Sequence, residues 1–96
     1  MAKLHYVVYK ITFPNGKIYV GMDVGGGGHS IRYFGSWNTE QVEADFTHNQ
    51  LRDFTLRKEI LFESRSKSEV RGAEIRYIVG LGSNNPDVGY NLWPKR

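Results

Sequence analysis

KITFPNGKIYVG, residues 10 to 21, places a turn signal between two runs rich in β-branched and aromatic residues, LHYVVYKIT before it and IYVGM after it. The pair reads as a β-hairpin. The loop length decides which side chains share a face. With Asn15 and Gly16 alone as a two-residue loop, Tyr19 would pair with Thr12, and Tyr9 and Tyr19 would point to opposite faces of the sheet. With Pro14, Asn15 and Gly16 as a three-residue loop, Tyr19 pairs with Ile11 and Tyr9 with Gly21, and both phenols lie on one face. The residue types favour the second. Proline presets φ at the first corner of a type I turn, asparagine tolerates the second, and glycine takes the left-handed position that closes a bulged hairpin. Gly21, lacking a side chain, then leaves space beside Tyr9.

Downstream, DVGGGGHS at 23 to 30 contains four consecutive glycines and reads as a flexible loop. It lacks both the Gly-x-Gly-x-x-Gly pattern and the lysine of a phosphate-binding loop. IRYFGSW at 31 to 37 is densely aromatic around Arg32. From Asn38 the pattern turns helical: Asn38 can cap, Gln41 sits three residues on, and Val42 and Phe46 have a four-residue apolar spacing. After a polar connection, FTLRKEILF at 54 to 62 alternates, with Phe54, Leu56, Ile60 and Phe62 on one face and Thr55, Arg57 and Glu59 on the other, which predicts a third strand. Ser66 with Glu69 matches a capping box. Val70, Ala73, Tyr77, Ile78 and Leu81 form a helical stripe ended by Gly80 and Gly82. The expected fold is therefore α+β, a three-stranded antiparallel sheet flanked by helices.

Glu74 belongs to the same stripe, four residues after Val70 and four before Ile78. A carboxylate pressed toward a packed side needs a cation, hydrogen-bond donors or a metal beside it. An ion pair with Arg32 or Arg57 is one answer, and a functional role is the other. In the closing NNPDVGYNLWP, Tyr90 and Trp93 are expected to pack back onto the domain with Asn91 between them.

Size and composition limit what this arrangement can be. Ninety-six residues make one domain, 1 to 96, and a 40% hydrophobic content suits a folded chain. The absence of cysteine excludes a disulfide framework and any thiolate zinc site. The amino terminus has no signal-peptide pattern and no apolar run reaches membrane-spanning length, so a cytoplasmic, non-membrane protein is expected. The net charge of +3 leans toward a polyanionic partner. Arg52, Arg57, Lys58, Arg65, Lys67, Arg71 and Arg76 crowd the second half, so one face is expected to be basic.

Taken together, VVYKI at 7 to 11 and KIYVG at 17 to 21 resemble the paired signature of the GIY-YIG nuclease family. An arginine in IRYFGS, the strand FTLRKEIL, a glutamate in AEIRYI and an asparagine in GYN follow in order, so the resemblance spans nearly the whole chain. The YFGS segment is similar to that of small phage and bacterial endonuclease domains. The resemblance implies metal-dependent hydrolysis of a DNA phosphodiester bond. Tyr9 would act on the attacking water as general base or orienting group, and Tyr19 would join the same hydrogen-bond network. A free phenol has a pKa near 10, so the base role requires a nearby cation. Arg32 would hold the scissile phosphate, Glu74 would bind magnesium or manganese, and Asn91 would help place the phosphate or the glutamate. Arg57 and Arg71 would touch DNA away from the chemistry.

Two departures from the family pattern stand out. Val7 occupies the position of the first glycine, adding bulk on the first strand, and Ser36 stands where many members have histidine. His29, beside the glycine run, is the candidate substitute, although a histidine in a loop is more often solvated. The main alternative to an endonuclease is a non-catalytic DNA-binding module of the same fold, and a protein-interaction domain is a third reading. A binding module would have no need of a carboxylate near a polyanion. Sequence specificity would come from loops, a homodimer or a partner.

Overall fold

The computed structural model describes residues 4–26, 28–30, 33–37 and 39–95. Its elements in chain order are β1 (Tyr6–Thr12), β2 (Ile18–Asp23), α1 (Thr39–Ala44), α2 (His48–Arg52), β3 (Arg57–Ser64) and α3 (Lys67–Leu81). The strands form one antiparallel sheet in the order β2-β1-β3, so the α+β architecture expected from the sequence is present.

The hairpin closes through the three-residue loop. Tyr9 stands opposite Gly21 and Ile11 opposite Tyr19. Phe13 N donates to Lys17 O at 2.9 Å, Gly16 N donates to Phe13 O at 2.9 Å, and Gly16 has φ 86°. The space beside Tyr9 is also real: a Cβ on Gly21 would run into the Tyr9 phenol.

β3 departs from simple alternation. Tyr9 faces Ile60 but Val8 faces Phe62, with a bulge between them that leaves Leu61 as the extra residue. One extra residue reverses the face of everything beyond it. Ile60 and Phe62, expected on one face, therefore separate: Phe62 packs with Val8 on the α3 side, while Ile60 shares the face of Tyr9. Phe54 and Leu56 precede the strand and still reach the tyrosine-side core.

The sheet's two faces bury different chemistry. One cluster, against α3, is made of Val8, Val20, Val70, Ala73 and Ile78. The other gathers Val7, Tyr9, Ile11, Phe13, Val42, Phe46 and Tyr90, with Tyr19, Phe34 and Trp37 packed on it. Val7, at the position where the family pattern has glycine, is thus core. Each such buried aliphatic side chain contributes about 1.5–3 kcal/mol.

α3 begins at Ser66, whose Oγ accepts from Glu69 N at 3.3 Å. The return half of the capping box runs through Ser64, which donates to Glu69 Oε2 at 2.7 Å and accepts from Ser66 N at 3.0 Å. Gly82, at φ 73°, ends the helix, whereas Gly80 lies inside it. Leu81, expected in the buried stripe, is exposed. α2 occupies what reads in the sequence as a polar connection. Its signal is a full capping box between Thr47 and Gln50. Asn38, the expected cap of α1, lies outside the described residues.

Residues 88–91 run beside β2. Ile18 N donates to Val88 O at 3.1 Å and Tyr90 N to Ile18 O at 2.9 Å, forming a short parallel bridge. Gly89 permits this approach, because a Cβ there would strike the backbone oxygens of Ile18 and Ser83. Among the described residues, no helix is long and apolar enough to cross a membrane.

Candidate functional site

A cleft of about 210 Å³ opens where β2, α3 and the C-terminal segment meet. β2 supplies Tyr19, the segment after the glycine run supplies Ser36 and Trp37, α3 supplies Glu74 and Ile78, and the C-terminal segment supplies Tyr90, Asn91, Leu92 and Trp93. Tyr19, Glu74 and Asn91, far apart in sequence, thus share one cavity.

Glu74 is half-buried, and burial raises its carboxyl above the ordinary range. Among the described residues it forms no ion pair or hydrogen bond. Arg57, one of its two candidate partners, lies 3.5 Å from Glu59 instead. Arg32, the other, lies outside the described residues. Tyr19 is also raised, first by burial and then by the negative charge of Glu74, while hydrogen bonding with Ser36 works the other way.

Tyr9 lies behind Tyr19, with ring centroids 6.5 Å apart. It shares the expected face but does not line the cleft, and it is only 1% exposed. His29 stacks on it at 5.7 Å and Tyr33 meets it edge-on at 6.0 Å. Gly35, at φ 90°, closes over its hydroxyl, where a Cβ would collide. Burial pushes the Tyr9 phenol well above its ordinary value, and Tyr19, Tyr33, Asp23 and Glu74 push in the same direction. This is the reverse of what a phenolate base requires.

His29 is not a solvated loop residue but is 2% exposed, pinned by its backbone N–H to Leu4 O at 2.8 Å. Its Nδ1 lies 2.8 Å from Asp23 Oδ2 and its Nε2 2.5 Å from Lys58 Nζ. Asp23 accepts from Nδ1–H, which leaves Nε2 to accept from the lysine. Lys58 also donates to the carbonyl oxygens of Ser30 and Tyr33 and sits 5.1 Å from the Tyr9 ring centroid. Burial lowers the Lys58 ammonium, with Asp23 opposing the shift. The Asp23, His29 and Lys58 chain fastens the loop to the sheet over Tyr9 and does not line the cleft. Sequence reasoning missed Lys58, although it shares the parity of Leu56 and Ile60 in the alternating strand.

Asn91 commits one donor and one acceptor of its side-chain amide to the backbone. Its Oδ1 accepts from Val20 N and its Nδ2 donates to Val20 O, each at 2.8 Å. It therefore fixes the strand next to Tyr19, with its amide turned to β2. Tyr90 is buried as expected, donating to Asp45 Oδ2 at 2.7 Å and accepting from Asn15 Nδ2 at 2.9 Å. Trp93 is not: it is 64% exposed and Leu92 is 65% exposed. These two side chains face outward, while Pro94 O accepts from Asn84 Nδ2 at 2.6 Å and keeps the segment on the domain. Arg57 and Arg71 are exposed and stand apart from the cleft lining.

Among the described residues no three His, Asp or Glu side chains converge as a metal cage. Within the cleft lining Glu74 is the one carboxylate. A single carboxylate cannot cage a metal, and a hard divalent cation held by Glu74 would keep most of its water. Comparison with family models, curated proteins and solved structures gives no match.

Proposed function

We propose that the chain is a metal-dependent DNA endonuclease of the GIY-YIG kind, hydrolysing a phosphodiester bond in the cleft between β2 and α3. The observation that carries this reading is Glu74: a half-buried carboxylate with no partner among the described residues, facing a tyrosine across an open cavity. Partial burial without a partner disfavours the charged form, and a perturbed carboxylate in a cleft is a candidate for binding a ligand. Magnesium or manganese bound by Glu74 would neutralise charge on the phosphate oxygens. Tyr19, at the cleft wall, orients the attacking water. Tyr9, buried behind it, positions Tyr19. Arg32 holds the scissile phosphate. Asn91 acts through Val20 to fix β2, and Arg57 and Arg71 add phosphate contacts outside the cleft.

Supercoiled plasmid incubated with the protein, in magnesium and in chelator, tests the reading beside Glu74→Gln. Nicking or linearisation should require the metal and should vanish in the variant. Equal cleavage by Glu74→Gln would remove the cleft from the chemistry. The burial of Tyr9 favours one second reading, a DNA-binding module without catalysis. Retention of DNA with no cleavage under any metal would select it.

A further inference from the structure

Trp93 offers the least expected surface of the molecule. A tryptophan expected to pack inward instead stands 64% exposed beside Leu92 at the mouth of the cleft that contains Glu74. The cleft wall is aromatic too: Trp37 meets the Tyr19 ring edge-on at 5.9 Å, and both line the cavity with Trp93. Indole surface left in water is costly and is the preferred platform for a flat partner. One cation stands outside the cleft, whose own charged residue is Glu74. Lys95, two residues on, lines the two grooves adjoining this segment, one with Asn91 and Leu92 and the other with Val79 and Pro94.

We propose that Trp93 stacks an unpaired nucleobase of a DNA strand whose neighbouring phosphate enters the cleft, with Lys95 taking a phosphate on the outer side. The inference rests on reading the cleft as a DNA site, and it narrows the substrate class to DNA with bases free of the helix, such as a single strand or a frayed or flapped end. A base in a duplex presents only its edge, because its faces are covered by its neighbours. An exposed indole can cover a face only when the base is unstacked. Such stacking tolerates any base, since each has a π-face.

The test needs neither metal nor cleavage. With Trp37→Phe, Trp93 becomes the one tryptophan of a chain that has two. Its fluorescence should be quenched by a short oligodeoxythymidine and far less by a blunt duplex of equal length, in chelator. In the otherwise unaltered chain, Trp93→Ala should weaken oligonucleotide affinity by about five- to a hundredfold, and Trp93→Phe should retain most of it. Equal quenching by duplex, or unchanged affinity in Trp93→Ala, overturns the proposal. The two readings fail separately. Quenching without metal-dependent plasmid cleavage would remove the nuclease and keep the stacking site. Cleavage with wild-type affinity in Trp93→Ala would do the reverse.

Discussion

Two corners of the molecule each set a tyrosine beside a carboxylate, and they are wired in opposite ways. At Tyr90 the hydroxyl donates to Asp45 at 2.7 Å, Asn15 donates back to the hydroxyl, and Lys17 reaches the same carboxylate oxygen at 2.9 Å. The Asp45 carboxyl is consequently held below its ordinary range, first by the Tyr90 hydrogen bond and then by Lys17. The Tyr90 phenol is pushed up to about 12, by burial and then by its bond to Asp45. At Tyr19 the carboxylate is Glu74, which has no such partner among the described residues, and burial moves its carboxyl upward. The same pair of residue types is thus a hydrogen-bonded fastening at one corner and leaves its carboxylate without a partner among the described residues at the other. Satisfaction of the carboxylate, more than its residue type, separates the two corners.

Reciprocal hydroxyl deletions would break this contrast most sharply. Tyr19→Phe should lower single-turnover cleavage at saturating protein by about a hundredfold or more, whereas Tyr90→Phe should leave that rate nearly unchanged. Urea unfolding should give the opposite order. Tyr90→Phe is expected to cost about 1–3 kcal/mol, because a charge-assisted bond is lost, and Tyr19→Phe less. A similar loss after Tyr19→Phe would make Tyr19 a second fastening.

Acid titration of stability separates the carboxylates by sign. Asp45, with a lowered folded value, contributes stability above the ordinary carboxylate range that disappears as pH falls through its lowered value. Glu74, with a raised folded value, is best tolerated below that range, and its contribution is lost as pH rises through the raised value. Unfolding midpoints measured from about pH 3 to pH 8 should therefore show Glu74→Gln gaining on the parent toward neutral pH. Asp45→Asn should lose on the parent over the same change. The smallest effect belongs to the exposed end of the fastening. Lys17→Ala should cost less than about 1 kcal/mol, and added salt should reduce the difference further.

How much of this was legible in the sequence depended on how local the cause was. The register of the hairpin followed from Pro14, Asn15 and Gly16, three adjacent residues with separate backbone preferences, and the placement of Glu74 followed from helical spacing alone. The bulge at Leu61 was not legible, because it answers to pairing with Val8 and Tyr9, some fifty residues away. That bulge decides which face Ile60 and Phe62 take, so the alternation of β3 misled beyond it. His29 looked like a solvated loop residue because its partners are separated from it: Asp23 before the glycine run and Lys58 on another strand. Trp93 looked like core because aromatic residues usually are, and nothing in NNPDVGYNLWP marks that the Leu92 and Trp93 side chains face outward.

The bidentate grip of Asn91 on Val20 has a consequence for how the protein behaves in a crowd. A three-stranded sheet has two free margins, and each is a template on which a foreign chain can grow. On the β2 side, residues 88–91 and the Asn91 amide occupy the outward-facing donors and acceptors of Ile18 and Val20. The β3 side carries a bulge and the charges of Arg57, Lys58, Glu59 and Glu63, which suit it poorly to flat pairing. The side chain that steadies the cleft therefore also guards against aggregation. Asn91→Ala should show its effect as turbidity at high protein concentration as well as in any assay of activity.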